Sequence, residues 1–73
     1  MARLEGANLR NADLDGADLD RASLRHTFLF GAQLNYAFLA QANLKQAHLS
    51  RGQMENSNLG FANVKGADLD RAL

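Results

Sequence analysis

The stretch Ala7-Asn8-Leu9-Arg10-Asn11-Ala12-Asp13-Leu14-Asp15-Gly16-Ala17-Asp18-Leu19-Asp20-Arg21 holds three copies of one five-residue unit. Each copy reads alanine, a polar residue, leucine, then two further residues. The unit continues in both directions. Leucine recurs at 4, 9, 14, 19, 24, 29, 34, 39, 44, 49, 59 and 69, and Met54 and Val64 fill the two gaps. Two positions before each aliphatic residue stands a small one: alanine in eleven units and Thr27, Gly52 or Ser57 in the others. Fourteen units run from Ala2 to Arg71, 70 of the 73 residues, so a single repeat domain over 1–73 is expected. A fifteenth unit opens at Ala72 and is incomplete, which reads as an interrupted array.

The period decides the backbone. In an α-helix five residues advance about 500°, a net turn of about 140°, so the leucines would wind around every side. In a straight strand an odd spacing sends successive leucines to opposite faces. Both contradictions vanish if the chain turns a corner after each leucine. Every pentapeptide is then a short extended piece plus a bend, and all the leucines point at a common axis. The chain must coil, one coil lying on the next at about 4.8 Å. The outcome is an all-β solenoid.

The period alone leaves the number of sides open. The units quoted above resemble the A(D/N)LXX signature of the pentapeptide repeat family. That resemblance implies a right-handed quadrilateral parallel β-helix with four pentapeptides per coil. Applied here it gives about three and a half coils. Positions one coil apart then stack, and the core columns become Leu4-Leu24-Leu44-Val64, Leu9-Leu29-Leu49-Leu69, Leu14-Leu34-Met54 and Leu19-Leu39-Leu59. Thr27 and Ser57 carry hydroxyls inward, where bonds to nearby backbone are expected. Gly52 beside Met54 suggests a small residue compensated by a longer, adaptable one. Neither end has a segment outside the pattern, so no capping helix is expected. Uncapped coils expose strand edges and some leucine surface, which invites end-to-end dimerisation or attachment to a neighbouring domain.

Composition excludes several classes of function. There is no cysteine, which removes disulfides, thiolate metal sites and a cysteine nucleophile. Eight basic and eight acidic residues give a formal charge of zero, against a nucleic-acid binder held by counterion release. No apolar run approaches the roughly 18 residues of a membrane span. The N-terminus lacks the basic and then apolar stretches of a signal peptide, and a cytoplasmic protein is expected.

Chemistry is sought on the exterior. Ser23, Ser50 and Ser57 are the hydroxyl nucleophile candidates, and His26 and His48 the only imidazoles. No histidine–aspartate pair aligns with these serines by stacking, and a convex solenoid has no cleft to desolvate a reacting group. No phosphate-binding glycine loop is present, and Asp13, Asp15, Asp18 and Asp20 lack the glycine and closing glutamate of a calcium loop. No catalytic, cofactor or metal residue is therefore assigned, and no enzyme activity is expected.

What remains is surface. Arg25, Lys45 and Lys65 stack below Glu5 as a short basic stripe suited to an acidic partner. Phe28, Phe30, Tyr36, Phe38 and Phe61 all avoid the leucine positions and should face outward, in two small clusters that mark partner contact. Charge is also segregated along the chain: residues 1–20 carry a net −3, residues 21–66 a net +4 and residues 67–73 a net −1. The expectation is a structural or interaction module, a short β-helical rod that binds a protein partner through Phe28, Phe30, Tyr36, Phe38, Arg25, Lys45 and Lys65. The alternative, implied by the resemblance, is a DNA mimic that binds DNA gyrase or another type II topoisomerase and protects it from inhibitors. Neutrality and the basic stripe depart from that group's acidic surface.

Overall fold

Each unit ends in a reverse turn, and the turn explains the unit. The amide of the small residue donates to the carbonyl of the aliphatic residue three positions earlier, as in Ala7 N to Leu4 O at 3.0 Å and Ala37 N to Leu34 O at 3.1 Å. In a computed structural model that describes residues 1–72, this bond closes all fourteen corners from Leu4–Ala7 to Leu69–Ala72. Leu73 lies outside the described residues. The third residue of each turn has a positive φ, between 57° and 72°, as a type II turn requires.

Glycine takes that conformation at no steric cost and stands at four corners: 6, 16, 31 and 66. The other ten corners adopt it without glycine, including His26, Tyr36, Gln41 and Phe61. Each non-glycine residue there costs on the order of 1 kcal/mol. The surrounding coil imposes the conformation regardless of local preference.

The coils pair in parallel, each unit lying on the fourth unit after it. Arg3 bridges Ser23, Asn8 bridges Phe28, and the series continues to His48 with Asp68. Bonds run in both directions around each bridged residue: Phe28 N donates to Ala7 O at 2.9 Å and Phe28 O accepts from Leu9 N at 2.7 Å. The expected short strands are thus reduced to one bridged residue per unit, because a corner in every unit leaves only the second position extended on both sides. Between Arg3 and its partner Ser23 the chain turns four corners, at Gly6, Asn11, Gly16 and Arg21, so the coil is square. Face 1 comprises residues 2–6, 22–26, 42–46 and 62–66. Face 2 comprises 7–11, 27–31, 47–51 and 67–71, face 3 comprises 12–16, 32–36 and 52–56, and face 4 comprises 17–21, 37–41 and 57–61. Among the described residues there is no helix.

The interior is filled by leucine and alanine. Leu24, Leu29, Leu34, Leu39, Leu44 and Leu49 are fully buried, with Ala22, Ala32, Ala37, Ala42 and Ala47 beside them. Leu4, Leu9, Leu14, Met54 and Leu59 are only partly buried, and Val64 and Leu69 remain 41% and 42% exposed. The aliphatic positions therefore converge as expected, but burial fades toward both ends, where a coil has one neighbour instead of two. Thr27 Oγ1 donates to Leu24 O at 2.8 Å and Ser57 Oγ to Met54 O at 2.8 Å, the inward hydroxyl bonds expected from sequence. Gly52 is buried, but the atoms nearest to its missing Cβ belong to Leu49 and Ala32, so the compensation by Met54 expected from sequence is not what bounds that space. The Cα extents of 24 × 22 × 18 Å describe a stubby prism in place of the expected rod, since a square coil is as wide as these few coils are tall.

Candidate partner-binding surface

Positions two, four and five of every unit point outward, and backbone needs dictate several of them. The turn leaves the amide of the fourth residue without a backbone partner. Where the second residue is aspartate or asparagine, its side-chain oxygen accepts from that amide, as at Asp13–Asp15 (3.2 Å), Asn58–Gly60 (2.9 Å) and Asn63–Lys65 (3.0 Å). This is a local Asx-type bond that either residue supplies equally well. Where the second residue is Gln33, Phe38 or Gln53, a side chain one coil earlier takes over: Asp15 accepts from Asn35 N, Asp20 from Ala40 N and Asn35 from Glu55 N, at 2.9–3.0 Å. Asp13, Asp15, Asp18 and Asp20 thus each hold a backbone amide, and their clustering in the first coil is partly structural.

The aromatic residues divide. Phe30, Tyr36 and Phe38 are 42%, 63% and 51% exposed, and Phe61 is 94% exposed, as expected from sequence. Phe28 is different, being only half-exposed. The His48 imidazole stacks on one side of its ring, with centroids 5.0 Å apart and planes 4° from parallel. The Arg10 guanidinium lies 4.5 Å from its centroid. Ring stacking and a cation–π contact thus fix Phe28 in place. Arg51 reaches 6.0 Å from the Phe30 centroid on the same face. Sequence reasoning named Phe28 and His48 separately and missed the stack. The inter-coil register was the signal, since positions 8, 28, 48 and 68 form one column.

The same register stacks Arg25, Lys45 and Lys65 on face 1 beneath Glu5. The Glu5 carboxyl is held below the usual glutamate range, first by the Ser23 hydroxyl and further by its own backbone and by Arg3 and Arg25. Tyr36 and Phe38 flank the edge between faces 3 and 4, diagonally opposite the edge between faces 1 and 2. Face by face, the charge segregates more sharply than along the chain. Faces 1 and 2 carry Arg3, Arg10, Arg25, Lys45, Arg51, Lys65 and Arg71 against Glu5, Asp68 and Asp70, a net +4. Faces 3 and 4 carry Arg21 against Asp13, Asp15, Asp18, Asp20 and Glu55, a net −4. Among the described residues there is no pocket and no group of three His, Cys, Asp or Glu side chains placed to hold a metal ion. No helix among them is long and apolar enough to cross a membrane.

The comparisons agree with this geometry. The sequence profile described as "Pentapeptide repeats" matches residues 2–35, 29–60 and 39–73, in eight copies. Among solved structures, the chain is similar to alr5209, a pentapeptide repeat protein from Nostoc PCC 7120, at 41% identity and a TM-score of 0.65 over 93% of this chain and 60% of that one. It is similar to Rfr23, a pentapeptide repeat protein from the cyanobacterium Cyanothece 51142, at 30% identity and a TM-score of 0.65, covering 97% of this chain and 52% of that one. HetL of Nostoc sp. strain PCC 7120, a pentapeptide repeat protein involved in heterocyst differentiation regulation, matches at 32% identity and a TM-score of 0.57, covering 96% of this chain and 37% of that one. The chain therefore spans three-fifths or less of the length of these relatives. A search of curated protein sequences gives no match. Repeat spacing, square coil and profile agree: the chain belongs to the pentapeptide repeat family, whose members form right-handed quadrilateral β-helices.

Proposed function

We propose that this chain is an interaction module of about three and a half coils, in which a self-sufficient leucine core presents rigid columns of side chains to a protein partner. One observation carries the reading. Phe30, Tyr36 and Phe38 stand exposed on a fold whose interior already holds an unbroken set of buried leucines, so they add nothing to its core. Exposed aromatics beside charged columns are the composition of a contact surface. Phe30 and Phe28, the latter held rigid by Arg10 and His48, join Arg25, Lys45 and Lys65 in one contact surface on faces 1 and 2, and Tyr36 and Phe38 form a second at the opposite edge. The proposal assigns no catalysis and no cofactor.

The competing reading is a topoisomerase-binding DNA mimic. It needs a negative strip that continues along the axis. The acidic side chains of faces 3 and 4 are gathered in the first coil, with only Glu55 beyond it, and faces 1 and 2 are basic. Two measurements test the choice. Immobilised protein is compared with Phe30→Ser and with Lys45→Glu/Lys65→Glu, each shown to stay folded by circular dichroism. An interaction module loses its bound protein with these variants. Retention by both variants would remove faces 1 and 2 from the reading. Protection of gyrase from a quinolone would replace the module with the mimic.

A further inference from the structure

The charge pattern has a self-complementary form. The faces meeting at one edge of the prism carry a net +4, and those meeting at the diagonally opposite edge carry a net −4, on a chain whose overall charge is zero. Exposed aromatic side chains of one coil border the acidic face 3: Phe30 in the turn at its edge with face 2, and Tyr36 and Phe38 at its edge with face 4. We propose that the chain associates side by side with a second copy of itself, face 1 of one copy (Arg3, Arg25, Lys45 and Lys65 against Glu5, net +3) docking on the opposite face 3 of the next (Asp13, Asp15 and Glu55, net −3). This inference rests on the reading as an interaction module and names its partner.

The geometry favours this occupant. Two copies of one coil have the same rise of about 4.8 Å, so a simple sideways displacement keeps every rung level with its counterpart. In that alignment Phe30 and Tyr36 border the contact in the coil that carries Arg25. Asp13 and Asp15 face Arg3 of the first coil, and Glu55 faces the coil that carries Lys45. An acidic peptide or a nucleic acid would match the charge of faces 1 and 2 but leave faces 3 and 4 unused.

The size of the contact sets its strength. The Cα extents allow about 400 Å² per face, half the roughly 800 Å² that each partner buries in a standard interface. The association is therefore weak, concentration-dependent and weakened by salt. Because the two patches differ, the contact is heterologous and adds copies in one direction.

Sedimentation velocity with two sets of variants tests this. Arg25→Glu/Lys45→Glu brings faces 1 and 2 together to zero net charge. Asp15→Asn/Asp20→Asn halves the acidic charge of faces 3 and 4 while keeping a side-chain oxygen for the amides of Asn35 and Ala40. Asp15→Lys/Asp20→Lys removes that charge altogether. The wild type is expected to form species larger than a dimer near about 1 mM protein in about 20 mM salt, and to revert to monomer in about 500 mM salt. Arg25→Glu/Lys45→Glu and Asp15→Lys/Asp20→Lys should each be monomeric alone, and Asp15→Asn/Asp20→Asn intermediate. An equimolar mixture of the two reversal variants should form a one-to-one dimer and nothing larger, since each retains one competent patch. A monomeric wild type in low salt overturns the proposal. So does association that survives both reversals, which would mean end-to-end stacking. Saturable binding of a labelled oligothymidine by a monomeric wild type would replace the self-partner with a nucleic acid. If the wild type stays monomeric yet still captures a protein that Lys45→Glu/Lys65→Glu releases, the interaction module stands and only its self-partner fails.

Discussion

Replacing leucines by alanine down a single core column tests the fold most directly. The column Leu9-Leu29-Leu49-Leu69 runs the height of face 2. Leu29 and Leu49 are fully buried, Leu9 is partly buried and Leu69 is 42% exposed. At Leu29, truncation loses the transfer free energy of the side chain and leaves a cavity that the coils above and below, pinned by their bridges, close poorly. The expected cost is about 3–5 kcal/mol. At Leu69 water already reaches the side chain, no enclosed cavity forms, and about half the burial is lost, so the cost is about 1 kcal/mol. A domain of this size has about 5–15 kcal/mol in total, so Leu29→Ala removes a large share of it. Urea unfolding followed by far-ultraviolet circular dichroism reads the difference, and the Leu29→Ala melting temperature should fall by more than about 10 °C. Leu49→Ala should match Leu29→Ala, and Leu9→Ala should fall between. Equal costs at Leu29 and Leu69, or the reverse order, would refute the shared interior on which the face assignments rest.

Four further outcomes follow from particular side chains. At Gly31, with φ at +68°, an added Cβ would collide with the Asn11 side-chain oxygen, whereas at Gly16 it meets nothing within 4 Å. Gly16→Ala should therefore cost only the left-handed backbone penalty of about 1 kcal/mol, Gly31→Ala more, and Asn11→Ala should restore Gly31→Ala to the Gly16→Ala level; equal unfolding midpoints for the two single variants would contradict this. Phe61, 94% exposed and at φ 57°, should gain about 0.5–1 kcal/mol on replacement by asparagine, which tolerates that conformation; an unchanged denaturation midpoint would show that the corner is unstrained. Phe28→Ser should cost about 1–2 kcal/mol because it loses both His48 and Arg10, and Phe38→Ser less than about 1 kcal/mol; the opposite ranking in thermal melts would dissolve the stack. Glu5 has a folded pKa below its unfolded one, so its stabilisation is complete above the unfolded value and is lost as pH falls through the folded value. Glu5→Gln should flatten the decline in melting temperature between about pH 6 and about pH 3, and parallel declines would remove the Ser23 contact as its cause.

Much of the candidate surface is legible without coordinates, because outward and inward positions are set by place in the unit. Phe30, Tyr36 and Phe38 are outward on that ground, and the structure exposes all three. The partial enclosure of Phe28 is not legible, since it depends on Arg10 in the preceding coil and His48 in the following one. Glycine at 6, 16, 31 and 66 points to corners. The left-handed backbone at His26, Tyr36 and Phe61 runs against local preference and is imposed by inter-coil bonds, such as those donated by His26 N to Lys45 O and Tyr36 N to Glu55 O. The aspartates of the first coil read as a charge cluster in sequence, whereas the coordinates also make them acceptors for backbone amides.

The amino-acid order by itself determines the corner in every unit, the inward leucines and the small residues beside them, because those follow from local periodicity and the need to bury aliphatic surface. The register between coils belongs to the tertiary structure, because it arises from backbone bonds between segments far apart in the chain. That register sandwiches Phe28 between Arg10 and His48 and sorts a neutral chain into two basic and two acidic faces. A one-dimensional count sees charge along the chain; only the folded coil sets it around an axis.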